Sequence, residues 1–380
     1  MKKTIICFST LFCSIISFAQ KYEFQTIKDA EFSPVISQGA TGTCWSFSTT
    51  SFLESEIYRT TGKKIDLSEM YNVKYTYLKK AENYVFRQGK AQFGEGGLSH
   101  DVINSAKIYG IATEEQYTGK LPNQEKHDHT KMVEELETIV KKAVADTPAK
   151  YPNWKQDYTA VLDKYMGDFS TDSNLSANNS FDQQKVVSEK KLSPIELLKS
   201  TKLNLDDYVT ITSFTHEPVY SKFILNIPDN FANGSFYNLT LDEYIENIDN
   251  AIDKGFTLAL DADVSETTFS GKNGIAVIPN DINDASIILT EIKPEKTITP
   301  EYRQSEFENF NTTDDHLMHI VGKAKDQKGN IYYKVKNSWG TKSGRDGFVY
   351  MSVPYMRLKS ISVMLHKDGL LKKTKTALGI

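Results

Sequence analysis

The feature that most constrains this chain is a change of period near Phe256. Upstream, apolar residues recur at helical spacing behind N-terminal capping signals. One helix starts near Cys44 and runs to about Tyr58, stopped by Thr60-Thr61-Gly62. A second follows Asp66, with Glu69 three residues on. The glycine loop Phe93-Gly94-Glu95-Gly96-Gly97 leads into a third helix, Ser99 to Tyr109, with Gly110 as its left-handed stop. Thr113-x-x-Gln116 reads as another cap, residues 130–146 and 154–166 as amphipathic helices, and Ser193-Pro194-x-Glu196 and Thr240-x-x-Glu243 as two further helix starts. Downstream, strand patterns take over at Phe256–Val264, His316–Lys325, Ile331–Asn337, Phe348–Val353 and Ser360–His366. Helices first and strands later imply an α+β fold, not alternating α/β. A doubly wound nucleotide fold has no support, because Gly94-x-Gly96-Gly97 follows no clear strand and lacks phosphate-loop spacing.

The front of the chain reads as a targeting segment. Lys2 and Lys3 precede the uncharged, apolar run Thr4–Phe18, and Ser17-Phe18-Ala19 supplies small residues for cleavage. Residues 1–19 are expected to be a signal peptide and the mature protein to be exported, periplasmic or extracellular. No later stretch is long and apolar enough to span a bilayer. Lys plus Arg is 45 against 49 Asp plus Glu, a net charge of −4, which argues against a nucleic-acid partner or a polybasic membrane-surface protein. Two of the three cysteines, Cys7 and Cys13, would leave with the signal. The mature chain would keep Cys44 alone, with no internal disulfide.

The surroundings of Cys44 point to chemistry. A cysteine at a helix start meets unpaired amides and the positive end of the helix dipole, which favour thiolate. Gln38, six residues upstream on an irregular loop, offers a side-chain amide that with the Cys44 backbone N–H could form an oxyanion hole. A thiolate nucleophile needs an imidazole. Of the seven histidines, His127 and His129 lie in a polar loop, His216 and His366 have no motif around them, and His100 opens a helix near the glycine loop. His319 stands on a strand that continues into a hairpin turn centred on Lys328. A regular hairpin puts His319 opposite Asn337, where the amide oxygen could accept a ring N–H. A metal site built from Asp315, His316 and His319 is disfavoured, because residues three apart on a strand face opposite ways. The chemistry needs no metal or organic cofactor.

Gln38, Gly42-Thr43-Cys44-Trp45, Leu67-Ser68-Glu69, Gly96-Gly97, His319 and Asn337-Ser338-Trp339-Gly340 resemble the papain-like cysteine peptidases. Thr41, Ser68-Glu69-Met70-Tyr71, Gly97-Leu98-Ser99-His100-Asp101, a long helical insertion and Asp261-Ala262-Asp263-Val264 are similar to the bleomycin hydrolase and aminopeptidase C branch. The resemblance implies a two-lobed fold: a helical lobe, an antiparallel β-barrel-like lobe and the active-site cleft between them, with a helical insertion. The corresponding segments are 20–120 for the lead-in and helical lobe, 121–205 for the insertion, and 206–380 for the β-rich lobe and tail. It further implies a Cys44 nucleophile, His319 as base and acid, Asn337 as its orienting partner and Gln38 in the oxyanion hole. Trp339 would shield the His–Asn bond, and Gly96 and Gly97 would let a substrate backbone lie along the cleft wall. The expected activity is peptide-bond hydrolysis through a thioester, as an aminopeptidase acting on peptide substrates. The alternatives are a papain-like endopeptidase or, less favoured, a non-catalytic peptide-binding relative. In that branch the C-terminal carboxylate lies in the cleft, so Ile380 is expected to limit it. A homo-oligomer is compatible with the branch.

Overall fold

The computed structural model describes residues 21–169 and 192–380. The expected signal segment and most of the polar stretch 168–192 lie outside the described residues. The described chain opens with β1 (Gln25–Asp29) and then builds helices: α1 (Cys44–Thr61), α2 (Glu69–Phe86), α3 (Ser99–Tyr109), α4 (Thr130–Asp146), α5 (Trp154–Met166) and α6 (Pro194–Ser200). Next come β2 (Tyr208–Thr212), β3 (Lys222–Ile224), β4 (Ser235–Asn238), α7 (Leu241–Asp253), β5 (Leu258–Ala262), β6 (Phe269–Ser270) and β7 (Ile275–Ala276). The chain closes with α8 (Pro300–Glu308), β8 (His316–Lys325), β9 (Ile331–Lys336), β10 (Phe348–Ser352), α9 (Val353–Lys359), β11 (Ser360–His366) and α10 (Lys372–Leu378).

Capping chemistry explains several boundaries. The Ser68 hydroxyl accepts the Tyr71 N–H at the start of α2, so the cap is Ser68 and not Asp66. Ser193 and Glu196 close a reciprocal box on α6, and Thr240 caps α7 through the Glu243 N–H. Gly62 ends α1 at φ 70°, a left-handed conformation that glycine adopts without a Cβ clash. Thr113 and Gln116 instead bond to each other in a turn, and no helix follows them.

The expected barrel does not form. The strands make one open sheet in the order β3-β4-β2-β11-β5-β8-β9-β10-β7-β6, with β1 paired to β8. Closure requires the two edges to meet. Here the path ends on β3, of three residues, and β6, of two, which do not pair with each other. Nor is the sheet wholly antiparallel, since β2–β4 and β7–β10 run parallel.

Alternation along β5 and β8 divides the sheet between two cores. Ala259 and Leu317 join the helical core around Trp45, Phe52, Tyr71 and Tyr158. Leu258, Leu260, Met318 and Ile320 join a second core beneath α7 and α9. Helices α4 and α5 contribute Met132, Leu136, Val140 and Leu162 to the first of these cores. α1 is buried along most of its length against β8, where the Ser48 hydroxyl donates to the Met318 carbonyl at 2.7 Å. That seam sets the start of α1 beside the start of β8.

Candidate active site

Two loops distant in sequence are stitched together around Cys44. The Gln38 N–H donates to the Ser338 carbonyl at 2.9 Å, the Ser338 hydroxyl to Gln38 Oε1 at 2.5 Å, and the Gly340 N–H to the Ile36 carbonyl at 3.2 Å. Gln38 Nε2 donates to the Thr41 carbonyl at 2.6 Å, so its amide is held over the turn that enters α1. Gly42 packs on Glu95, and the Trp45 indole N–H donates to the Glu95 carbonyl at 2.9 Å. The glycine loop is therefore fixed to the first turn of the helix that carries the thiol.

Cys44 is the first residue of α1 and is buried. Burial, with a smaller contribution from the Asp229 and Asp261 carboxylates, pushes its thiol up to about 12. The Leu317 and Trp45 backbone N–H groups act the other way. The helix start alone does not win: desolvation of the thiolate outweighs the amides.

The histidine that meets Asn337 is His316. Its Nε2 lies 2.8 Å from Asn337 Oδ1. That oxygen also accepts the Ser338 N–H at 2.7 Å, so it is an acceptor and the ring nitrogen must donate. Nδ1 is thereby left as the unprotonated nitrogen. Trp339 covers the ring, with centroids 4.9 Å apart, and is itself held edge-on by Phe269. Burial pulls His316 down to about 4, opposed by the Asn337 bond. The Ser48–Met318 and Gln38–Ser338 bonds bring the segments that carry His316 and Asn337 alongside the start of the helix that opens with Cys44.

His319, expected opposite Asn337, pairs with Lys336 instead. Its Nδ1 lies 2.9 Å from the Ser51 hydroxyl, its ring stands edge-on to Phe52, and burial keeps it well below its ordinary value. The cause is a bulge. From Lys325–Ile331 to Gly322–Lys334 the pairs are symmetric about Lys328, as the turn implies. Between Ile320 and Gly322 the register slips by one residue. Gly322 was the available signal, since a glycine inside a strand marks a bulge or a close approach. A Cβ there would collide with the Lys28 carbonyl and Asp29 of β1.

Gly96 and Gly97 do not present a bare wall. The side of Gly96 where a Cβ would stand holds the Asp229 carboxylate, and that of Gly97 faces Trp45 and Asp101. Ile380 is not in the cleft. α10 lies along α7, with the Thr374 hydroxyl bonded to Glu243 at 2.5 Å and to Asn247 at 3.0 Å. The Ile380 N–H returns to the Lys375 carbonyl, and its side chain packs on the second core. The buried Thr374 anchor directs the tail there. Among the described residues no group of three or more His, Cys, Asp or Glu is arranged to hold a metal ion.

Comparison with known proteins gives the chain its family. A family model described as "Peptidase C1-like family" matches residues 116–379, and one described as "Papain family cysteine protease" matches residues 19–193. Aminopeptidase G of Lactobacillus delbrueckii subsp. lactis is 24% identical over 376 residues, covering 89% of this chain and 82% of its own. Mitochondrial cysteine proteinase 1 of Saccharomyces cerevisiae is 24% identical over 387 residues, covering 92% and 78%. The crystal structure of PepW from Lactobacillus rhamnosis superposes with a TM-score of 0.71 at 18% identity, covering 93% of this chain and 84% of that one. The chain therefore belongs to the peptidase C1-like family and is a cysteine-type peptidase of the papain superfamily.

Proposed function

We propose that Cys44 is the nucleophile and that His316, not His319, is its proton acceptor, in an exported peptidase acting as an aminopeptidase. The observation that carries the assignment is the 2.8 Å bond from His316 to Asn337. Export rests on the sequence of residues 1–19, and mass spectrometry of the purified protein's N-terminus tests it. Aminopeptidase action is supported by aminopeptidases G and W, whose similarity spans 89% and 88% of this chain.

Burial disfavours a lone thiolate and a lone imidazolium alike. Transfer of the thiol proton to His316 Nδ1 creates both at once, so each charge offsets the cost of the other. The sulfur adds to the scissile carbonyl carbon, and the oxygen takes the electron pair facing the Gln38 amide and the Cys44 N–H. Collapse of that adduct breaks the C–N bond. His316 returns the proton to the departing amine, leaving a thioester on Cys44. Water then adds with His316 as base, releasing the acid and the thiol. Asn337 holds the ring through Nε2 throughout, and Trp339 keeps water off that bond.

The test is covalent labelling with a thiol-reactive epoxide at neutral pH, read by mass spectrometry. Label on Cys44, abolished in His316→Ala and kept in His319→Ala, is the expected result. Labelling lost only in His319→Ala would overturn the assignment.

A further inference from the structure

A cavity of about 580 Å³ opens between α1, β8 and the segment 31–36, and neither Cys44, His316 nor Trp339 lines it. α1 presents Ser48, Ser51, Glu54, Ser55 and Tyr58 to it, a stripe at helical spacing. Ser48, Ser51, Glu54 and Ser55 are buried, where a helix face that only packed would be apolar. Phe47, Ile65, Leu317 and Met318 supply the apolar part of the lining. Glu31 and Lys64, ion-paired and exposed, stand at the mouth. The volume falls within the roughly 300–1,000 Å³ of small-molecule sites.

The buried charges in this cavity are not matched to one another. Glu69, 6% exposed, opens α2, and among the described residues its carboxylate accepts only its own backbone N–H. Glu54 accepts the Leu67 N–H at 2.8 Å and the Ser33 hydroxyl. Burial holds the Glu54 carboxyl up at about 7, and burial with the nearby Glu54 holds Glu69 well above the ordinary carboxylate range. Lys336 gives two of its three N–H groups to the Ser33 and Ser51 hydroxyls, at 2.9 and 2.8 Å. Among the described residues it makes no direct ion pair, and burial lowers its ammonium to about 8, opposed only through space by Glu54, Glu69 and Asp66. An acid and a base thus line one cavity, both buried and both with bonding capacity to spare. An ammonium set against Glu69 and a carboxylate set against Lys336 would satisfy both.

We infer that this cavity is a second binding site, for a small zwitterion with an apolar side chain: a free α-amino acid or a dipeptide. Its ammonium meets Glu69, its carboxylate meets Lys336, and its side chain lies on Phe47, Ile65, Leu317 and Met318. Removal of an N-terminal residue releases such a molecule. That link rests on the aminopeptidase reading; the charge pattern does not. Asn337 and Ser338 also line the cavity, so an occupant bears on the residues that hold His316 and Gln38.

Calorimetric titration of the Cys44→Ala protein tests the site with leucine, Leu-Leu, N-acetyl-leucine and leucinamide. Leucine or Leu-Leu is expected to bind about tenfold or more tighter than N-acetyl-leucine, which lacks the ammonium, and than leucinamide, which lacks the carboxylate. Glu69→Gln and Lys336→Met are each expected to weaken that binding by a similar factor. The titration is repeated on wild-type protein whose Cys44 carries the epoxide label, and binding is expected to persist with the cleft blocked. No saturable binding, equal binding of all four ligands, or undiminished affinity in a folded variant overturns the site. Binding lost on labelling places the ligand in the cleft and also overturns it. The four-ligand comparison needs neither variant, so it decides even where Glu69→Gln and Lys336→Met fail to fold. If Cys44 takes no label while the variants lose the zwitterion, the catalytic reading fails and the second site stands.

Discussion

His316 Nε2 and Asn337 Oδ1 are 2.8 Å apart beneath the Trp339 ring, on the far side of the imidazole from the nitrogen left to take a proton. On the proposed assignment, removing the imidazole removes the base. His316→Ala is expected to lower kcat/KM by about 10²–10⁴-fold. Asn337→Ala is expected to cost less, because the base survives but is no longer steered. Steady-state kinetics on a fluorogenic peptide amide checks both, and His316→Ala activity within twofold of wild type would refute the assignment.

On the same assignment, His319 serves the fold. It fills space between Ser51 and Phe52 and sits opposite Lys336. His319→Ala opens a cavity and removes one partner of the Ser51 hydroxyl, which keeps Lys336, so unfolding should become easier by about 2–5 kcal/mol. The specific activity of the folded fraction should hold. Urea unfolding paired with active-site titration separates the two effects.

Deleting residues 376–380 should leave cleavage specificity unchanged. The tail end packs near α7 and Lys375, and the buried anchor Thr374 is retained. Product analysis on free-amine and N-blocked peptides is the measurement. New internal cleavage after truncation would contradict the docking of α10.

Stability should depend on pH through Glu295. Burial raises its carboxyl to about 7, against partial relief from the Ser352 hydroxyl and the Ile278 N–H. The folded-state value lies above the unfolded one near 4.3. The folded protein thus holds the proton that the unfolded chain gives up, and this contribution is full below about pH 4 and lost as pH rises through about 7. Glu295→Gln should flatten the fall in stability between pH 5 and pH 8, as read by denaturant midpoints. An unchanged slope would show that Glu295 is not a source of it.

Gly322→Val should destabilise the protein by about 1–3 kcal/mol, since a side chain there displaces Lys28 and Asp29 of β1. Thermal melting checks it, and an unchanged midpoint would mean that β1 yields without cost.

Much of the helical lobe was legible because its signals are local. Caps at Ser193 and Thr240, the stops at Gly62 and Gly110, and Cys44 at the first position of α1 each depend on a few adjacent residues. The hairpin turn at Lys328 was legible for the same reason. The partner of Asn337 was not, because one extra residue in β8 changes every pairing beyond it while leaving the apolar pattern of a strand buried on both faces intact. Strands β3, β6 and β7, of two or three residues, are too short to carry a period, so the open edges of the sheet had no signature.

The stitch between Gln38 and Ser338 carries a consequence for synthesis. Three hundred residues separate the two partners, so a ribosome that has delivered the thiol still owes most of the chain before the loop holding Gln38 can lock. A growing or truncated polypeptide carries a cysteine without its imidazole or its amide clamp. The cleft is thereby incomplete until the last strands arrive.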